Sequence, residues 1–215
     1  MKHPCIYCGQ NEGTTQDHIP PKCFFPRPCP NISRITVPCC ESCRRHDEKN
    51  DELVRNLLVS TCEAEPHQAV HDQLASTRNR SFERPSKFKA VLRHVIQADI
   101  NSPGGIHLRS APAFNLDSPV MDSFLHRVVR GLLQEERQCG FVPCTIEWCR
   151  KRDTVICADF ARQRGSRAVG DVFSYSVWFS DGHLSSIWLL TFYDHLHFFI
   201  HLQTSVKAWQ PIENK

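Results

Sequence analysis

The chain has 215 residues, 40% of them hydrophobic and 23% charged, enough for a buried core and against wholesale disorder. Lysine and arginine total 26 against 23 acidic residues, and this net charge of +3 announces no polyanion binder by itself. Mean hydropathy is −0.39, no apolar run approaches the ~18–20 residues of a membrane span, and the Met-Lys-His-Pro-Cys start has no apolar signal region, so no membrane association and a cytoplasmic location are expected.

Seven of the 12 cysteines lie in the first 43 residues. In a reducing compartment such clustering points to metal ligation more than to disulfides. Cys5-Ile-Tyr-Cys8 and Cys40-Glu-Ser-Cys43 are two C-x2-C pairs with 31 residues between them. Each pair aims two thiolates at one point, and together they complete the tetrahedral shell that zinc prefers. A structural Zn²⁺ on Cys5, Cys8, Cys40 and Cys43 is therefore expected. Gly9 suits the positive φ of such a turn, and Cys39 is the alternative to Cys40 at a less usual spacing. Residues 1–46 hold too little apolar material to fold without a staple of this kind. Cys23, Cys29, Cys62, Cys139, Cys144, Cys149 and Cys157 form no second pattern and read as packing or surface thiols.

Further along, Leu53, Val54, Leu57 and Leu58 predict a helix from Asp47 to about Val70. Residues 78–96 carry Arg78, Arg80, Arg84, Lys87, Lys89 and Arg93 against Glu83 alone. Their second half reads as a helix with Phe88, Val91, Leu92, Val95 and Ile96 on one face. Asn101-Ser-Pro-Gly-Gly is a turn. After Asp117, a Ser118 cap and Pro119 open a helix whose apolar positions run from Met121 to Leu133. Residues 172–179, 187–193 and 197–202 read as strands, the first two joined by a turn at Ser180-Asp-Gly-His183. Their aromatic residues read as the core of a small sheet.

Between the two cysteine pairs lie Thr15-Gln-Asp17-His18-Ile-Pro-Pro-Lys22 and Arg34-Ile-Thr-Val-Pro38. This arrangement resembles the zinc-containing HNH (ββα-metal) endonucleases, and more closely a group of bacterial proteins built on C-x2-C-G, D-H-I-P-P-K and T-V-P-x-C-x2-C. The matching residues are Cys5, Cys8, Gly9, Asp17 through Lys22, Thr36, Val37, Pro38, Cys40 and Cys43, followed by Lys49, Asp51, Glu52 and Arg55. The stretches His126–Leu132 and Trp188–Tyr193 resemble that group more loosely.

The resemblance implies an α+β protein: a ββα-metal module over residues 1–60, then helices and a small antiparallel sheet over 61–215. It implies phosphodiester hydrolysis in nucleic acid, DNA being the expected substrate, with His18 as general base. Asp17 would hold a catalytic Mg²⁺ or Mn²⁺, and the zinc would be structural only. One position departs from the pattern. The family carries Asn or His directly after the last zinc cysteine, as a second ligand to the catalytic cation, and here that residue is Arg44. Ile35 likewise occupies the usual middle Asn position. Either His46 supplies the missing nitrogen or Arg44 contacts the phosphate itself. A nucleic-acid partner would be held by Lys22, Arg44 and Arg45, flanked by residues 78–93 or by the basic stretch 150–167. The alternative is a zinc-stabilised nucleic-acid or protein-binding module without turnover.

Overall fold

A computed structural model describes residues 3–28, 32–102, 104–137, 139–151, 154–180 and 185–204, without the side chains of residues 47 and 49. Cys29, Arg152, Asp153 and the turn residues 181–183 lie outside this set, as does the Lys49 side chain. The fold is α+β, with helices packed on small antiparallel sheets. No helix among the described residues is long and apolar enough to cross a membrane.

The chain opens with a short loop closed by a Pro4–Glu12 bridge. Strand β1 (Thr15–Ile19) then pairs antiparallel with β2 (Ile35–Cys39), placing Asp17 opposite Val37 and His18 opposite Thr36. Helix α1 (Glu41–Val59) starts at the next turn of chain. Its second half is buried through Val54, Leu57 and Leu58. It ends well short of Val70: Ser60 and Thr61 turn their hydroxyls back onto the carbonyls of Asn56 and Leu58, both at 2.7 Å. Such local side-chain bonds compete with further helix.

A π-helical segment (Val70–Leu74) leads into α2 (Ala75–Phe82), followed by α3 (Pro85–Leu92). The expected helix does not continue through Ile96. Val95 and Ile96 instead open β3 (Val95–Asn101), which forms a two-stranded ribbon with β4 (His107–Phe114) around the 101–105 turn. β-branched residues favour the extended chain, and their helical spacing with Phe88 and Leu92 misleads.

Helix α4 (Pro119–Arg137) is the centre of the molecule, with Met121, Phe124, Leu125, Val128, Val129, Leu132 and Leu133 buried. Pro119 is its first residue, but Ser118 Oγ finds no partner among the described residues, so the side-chain cap is not formed. The larger sheet runs β5 (Cys144–Lys151), β9 (Leu196–Thr204), β8 (Ser185–Phe192), β7 (Phe173–Phe179) and β6 (Arg167–Val169), all antiparallel. Alternate residues Trp188, Leu190 and Phe192 of β8 and Phe198, Ile200 and Leu202 of β9 join the core, the period-two pattern of a covered sheet. Helix α5 (Thr154–Arg164) lies on part of the other face, Phe160 meeting Phe199 edge-on at 5.3 Å.

One contact in this core bears directly on the site. Phe24, in the loop after β1, stacks on Phe124 of α4 at 5.1 Å and meets Phe192 of β8 at 5.7 Å. The Tyr193 hydroxyl donates to the Phe24 carbonyl at 3.3 Å. The loop carrying Lys22, Cys23 and Arg27 is thereby pinned to both α4 and the large sheet.

Candidate metal centre and adjoining cleft

The Sγ atoms of Cys5, Cys8, Cys40 and Cys43 all lie within 4.8 Å of one another, the one such donor cluster among the described residues. Zinc–sulfur bonds of ~2.3 Å in a tetrahedron require sulfurs about 3.8 Å apart, and Cys8 and Cys40 stand at 3.9 Å. The donors therefore fit zinc. The local chain explains the convergence. The Gly9 amide bonds the Cys5 carbonyl at 2.8 Å and Gly9 adopts φ +65°, closing the first turn. The second pair opens α1, whose Arg44 amide bonds the Cys40 carbonyl at 3.0 Å.

Around the cluster, Ser42 Oγ is 3.1 Å from Cys40 Sγ and Asn11 Nδ2 donates to it at 3.8 Å. The Ser42 contact chiefly draws the Cys40 thiol down to about 6, whereas burial pushes Cys5 and Cys43 up. Cys39 is no ligand. As the last residue of β2 its Sγ faces Thr15 Oγ1 at 3.1 Å, and burial raises it to about 11.

The same hairpin builds a cleft of about 350 Å³ whose walls include Asp17, His18, Lys22, Cys23, Arg27, Arg44, Asp51 and Arg127. Asp17 is tightly held. Its Oδ2 accepts the Tyr7 hydroxyl at 2.6 Å and its Oδ1 the His18 amide at 3.0 Å. Arg127 of α4 brings Nε to 3.8 Å from Asp17 Oδ2 and also pairs with Asp51 of α1. These are interior charges: the guanidinium is 5% exposed and each carboxylate 13%. Burial and the negative Asp17 hold the Tyr7 hydroxyl well above its usual range, so it remains a donor. Each carboxylate oxygen has two acceptor sites, so Asp17 retains capacity toward a cation.

His18 is pushed below the ordinary histidine value by burial, then by the positive Lys22 and Arg34, with Asp17 opposing. Its Nδ1 is buried and without a hydrogen-bond partner. At neutral pH the ring is an uncharged base. Cys23, in the same wall, is driven to about 12 by burial and then by Asp51, and is inert as a nucleophile.

Asp17, His18, Lys22 and Arg44 thus share one cleft. His46 does not: it is exposed on α1 and absent from the lining, so of the two ways round the Arg44 departure the structure does not provide the His46 one. Arg45 is likewise outside the cleft, 75% exposed and bound to Glu41 at 2.8 Å. Arg44 reaches Glu41 at 2.9 Å and Glu48 at 3.9 Å; with Arg45 it draws the Glu41 carboxyl down to about 2. Of the basic stretches, Lys87 pairs with Glu52 at 2.7 Å and Arg78 binds the Val59 carbonyl. Arg150 and Arg167 pair with Glu63 and Glu136, and neither lines this cleft.

Tyr7, Asp51 and Arg127 have no role in the sequence reading. Asp51 and Arg127 fall inside stretches that carry the family resemblance, but an ion pair between residues 76 positions apart leaves no trace in spacing. No family model matches the chain, and no curated protein or solved structure is detectably similar to it.

Proposed function

We propose that this protein is a metal-dependent endonuclease of the HNH (ββα-metal) kind that hydrolyses phosphodiester bonds in nucleic acid, DNA being the expected substrate. The observation that carries the reading is the joint placement of Asp17 and His18 in one wall of a cleft ringed by Lys22, Arg27, Arg44 and Arg127, on a hairpin clamped by the four cysteines.

Lys22 and Arg44 receive the phosphate oxygens of the strand, Arg44 replacing a metal ligand with a direct phosphate contact. His18, neutral and with depressed basicity, takes a proton from the attacking water as its oxygen bonds phosphorus and the bond to the 3′-oxygen breaks. Asp17, oriented by Tyr7 and Arg127, is the residue to hold Mg²⁺ or Mn²⁺. Such a cation supplies neutralisation of phosphate charge and stabilises the leaving oxygen. It needs only one or two carboxylates, the remainder of its shell being water and substrate.

The test is cleavage of supercoiled plasmid with Mg²⁺ or Mn²⁺. Wild type should nick or linearise it, and His18→Ala should lose about 10²–10⁴-fold in rate while keeping its zinc. His46→Ala should cut normally, because the side chain lies off the cleft. The contact of Arg127 with both carboxylates favours a second reading, a zinc-stabilised binding module. That reading wins when wild type retains DNA or RNA on a gel yet cuts neither.

A further inference from the structure

Beside the cleft of Asp17 and His18 lies a larger cavity of about 660 Å³, and Cys23 and Arg27 line both. Four arginines, Arg27, Arg55, Arg80 and Arg84, face it against one carboxylate, Glu52. Glu52 is already answered: Lys87 Nζ is at 2.7 Å, Ser81 Oγ donates to it at 2.7 Å, and Arg55 is at 4.0 Å. Arg55 is itself occupied with Asn56 Oδ1, at 2.6 Å.

The other three differ. Among the described residues Arg27, Arg80 and Arg84 make no ion pair, and Arg80 reaches only Thr77 Oγ1 at 3.4 Å. They come from three places: the loop after β1, helix α2, and the residue before α3. Three cations without ion-pair partners around one concavity can each take an oxygen of a phosphate chain. The remaining wall is apolar, with Phe25 and Leu74 contributing. Cationic groups with an apolar wall, in a space of this size, suit one or two nucleotides rather than a double helix.

We infer that this cavity is a subsite for unpaired nucleic-acid strand continuing from the bond held at Asp17 and His18. Its phosphates lie on Arg27, Arg80 and Arg84, and a sugar or base lies against Phe25 and Leu74. The inference rests on the nucleic-acid reading above and adds the strand's path and its unpaired state. The shared Arg27 is what makes the two spaces one path: a chain filling the first continues into the second.

The experiment is fluorescence anisotropy of a short labelled single-stranded oligonucleotide across a salt series, with no added divalent cation, so that binding is read apart from cleavage. Arg80→Gln/Arg84→Gln should flatten the slope of log affinity against log salt by about 1.4, two contacts at about 0.7 each. Both side chains are exposed, and thermal melting checks that the variant is folded. Arg27→Gln, from a different element, should lose about 0.7 and serves if the double variant misfolds. An unchanged slope in these variants overturns the subsite. So does a deoxynucleoside monophosphate that competes as well as the strand, since the cavity is then a mononucleotide site. A duplex of the same sequence that loses as much slope overturns the unpaired-strand assignment. Plasmid cleavage with an unchanged slope rejects the subsite and leaves the proposed activity standing. A flattened slope in a protein that cuts nothing rejects the activity and leaves the subsite standing.

Discussion

Replacing Arg127 by methionine removes the cation that the cleft holds between two carboxylates. The side chain is 5% exposed and Asp17 and Asp51 are 13% exposed, so water cannot freely take over its role. Removing one partner from a buried ion pair costs about 3–5 kcal/mol. Both carboxylates lose the guanidinium set between them, and Asp17 keeps the Tyr7 hydroxyl and the His18 amide. We expect about 3 kcal/mol of lost stability at neutral pH, read as a lower urea midpoint in zinc-loaded protein. Arg127→Met/Asp51→Asn should recover part of this loss, because the Asp51 charge is removed with the cation while the Asp17 carboxylate stays behind. A single variant as stable as wild type, or a double variant no better than the single, would refute the buried-pair argument.

Cys43→Ser should abolish zinc binding and unfold the N-terminal segment, since structural zinc in small domains is worth roughly 10–16 kcal/mol of apparent binding energy; metal analysis and melting check this, and a metal-free wild type with an unaltered melt would contradict it. Gly131→Ala should destabilise by about 1 kcal/mol net, a helix gain of about 1 kcal/mol set against overpacking of about 1–3 kcal/mol. The new Cβ would lie 2.5 Å from Cγ1 and 2.8 Å from Cδ1 of the fully buried Ile19, beside His18, so the proposed cleavage should fall too, and Ile19→Val, which removes Cδ1, should restore part of the stability. Burial holds His126 and His197 below the ordinary histidine value, with Arg130 adding to the effect at the first and His195 at the second. The unfolded chain therefore binds protons first, and stability should decline as pH drops below about 6.5; His197→Gln should make the urea midpoint less pH-dependent.

The metal cluster is legible in the sequence because two C-x2-C turns constrain their sulfurs locally, and only the phase of β2 is needed to choose Cys40 over Cys39. Helix α4 and strands β7, β8 and β9 are legible for a similar reason: each buries a face whose period is written in its own residues. Asp17 and His18 stand out only by their place between the cysteine pairs. What cannot be read is contact between distant segments. Arg127 in α4 looks like one more cation on an amphipathic helix until the fold sets it against β1 and α1. Arg80 and Arg84 read as part of a solvated basic run, and only the packing of α2 beside the loop after β1 turns them toward a shared cavity. Strand β3 is missed because a short run such as Val95–Ile96 carries too few periods to tell a strand from the helix before it, whereas β5 falls in the stretch after Gly140 and alternates from Cys144 to Trp148.

The Phe24 stack carries a practical consequence for anyone dissecting the chain. A fragment ending near residue 60 would retain every sulfur of the metal knot, yet Phe24 and Ile19 would lose the ring and the glycine they rest on, Phe124 and Gly131. The loop bearing Lys22 and Arg27 would keep α1 on one side but lose α4 and the large sheet on the other. The front of this molecule holds the four cysteines, Asp17 and His18, and the back is the bench they are bolted to.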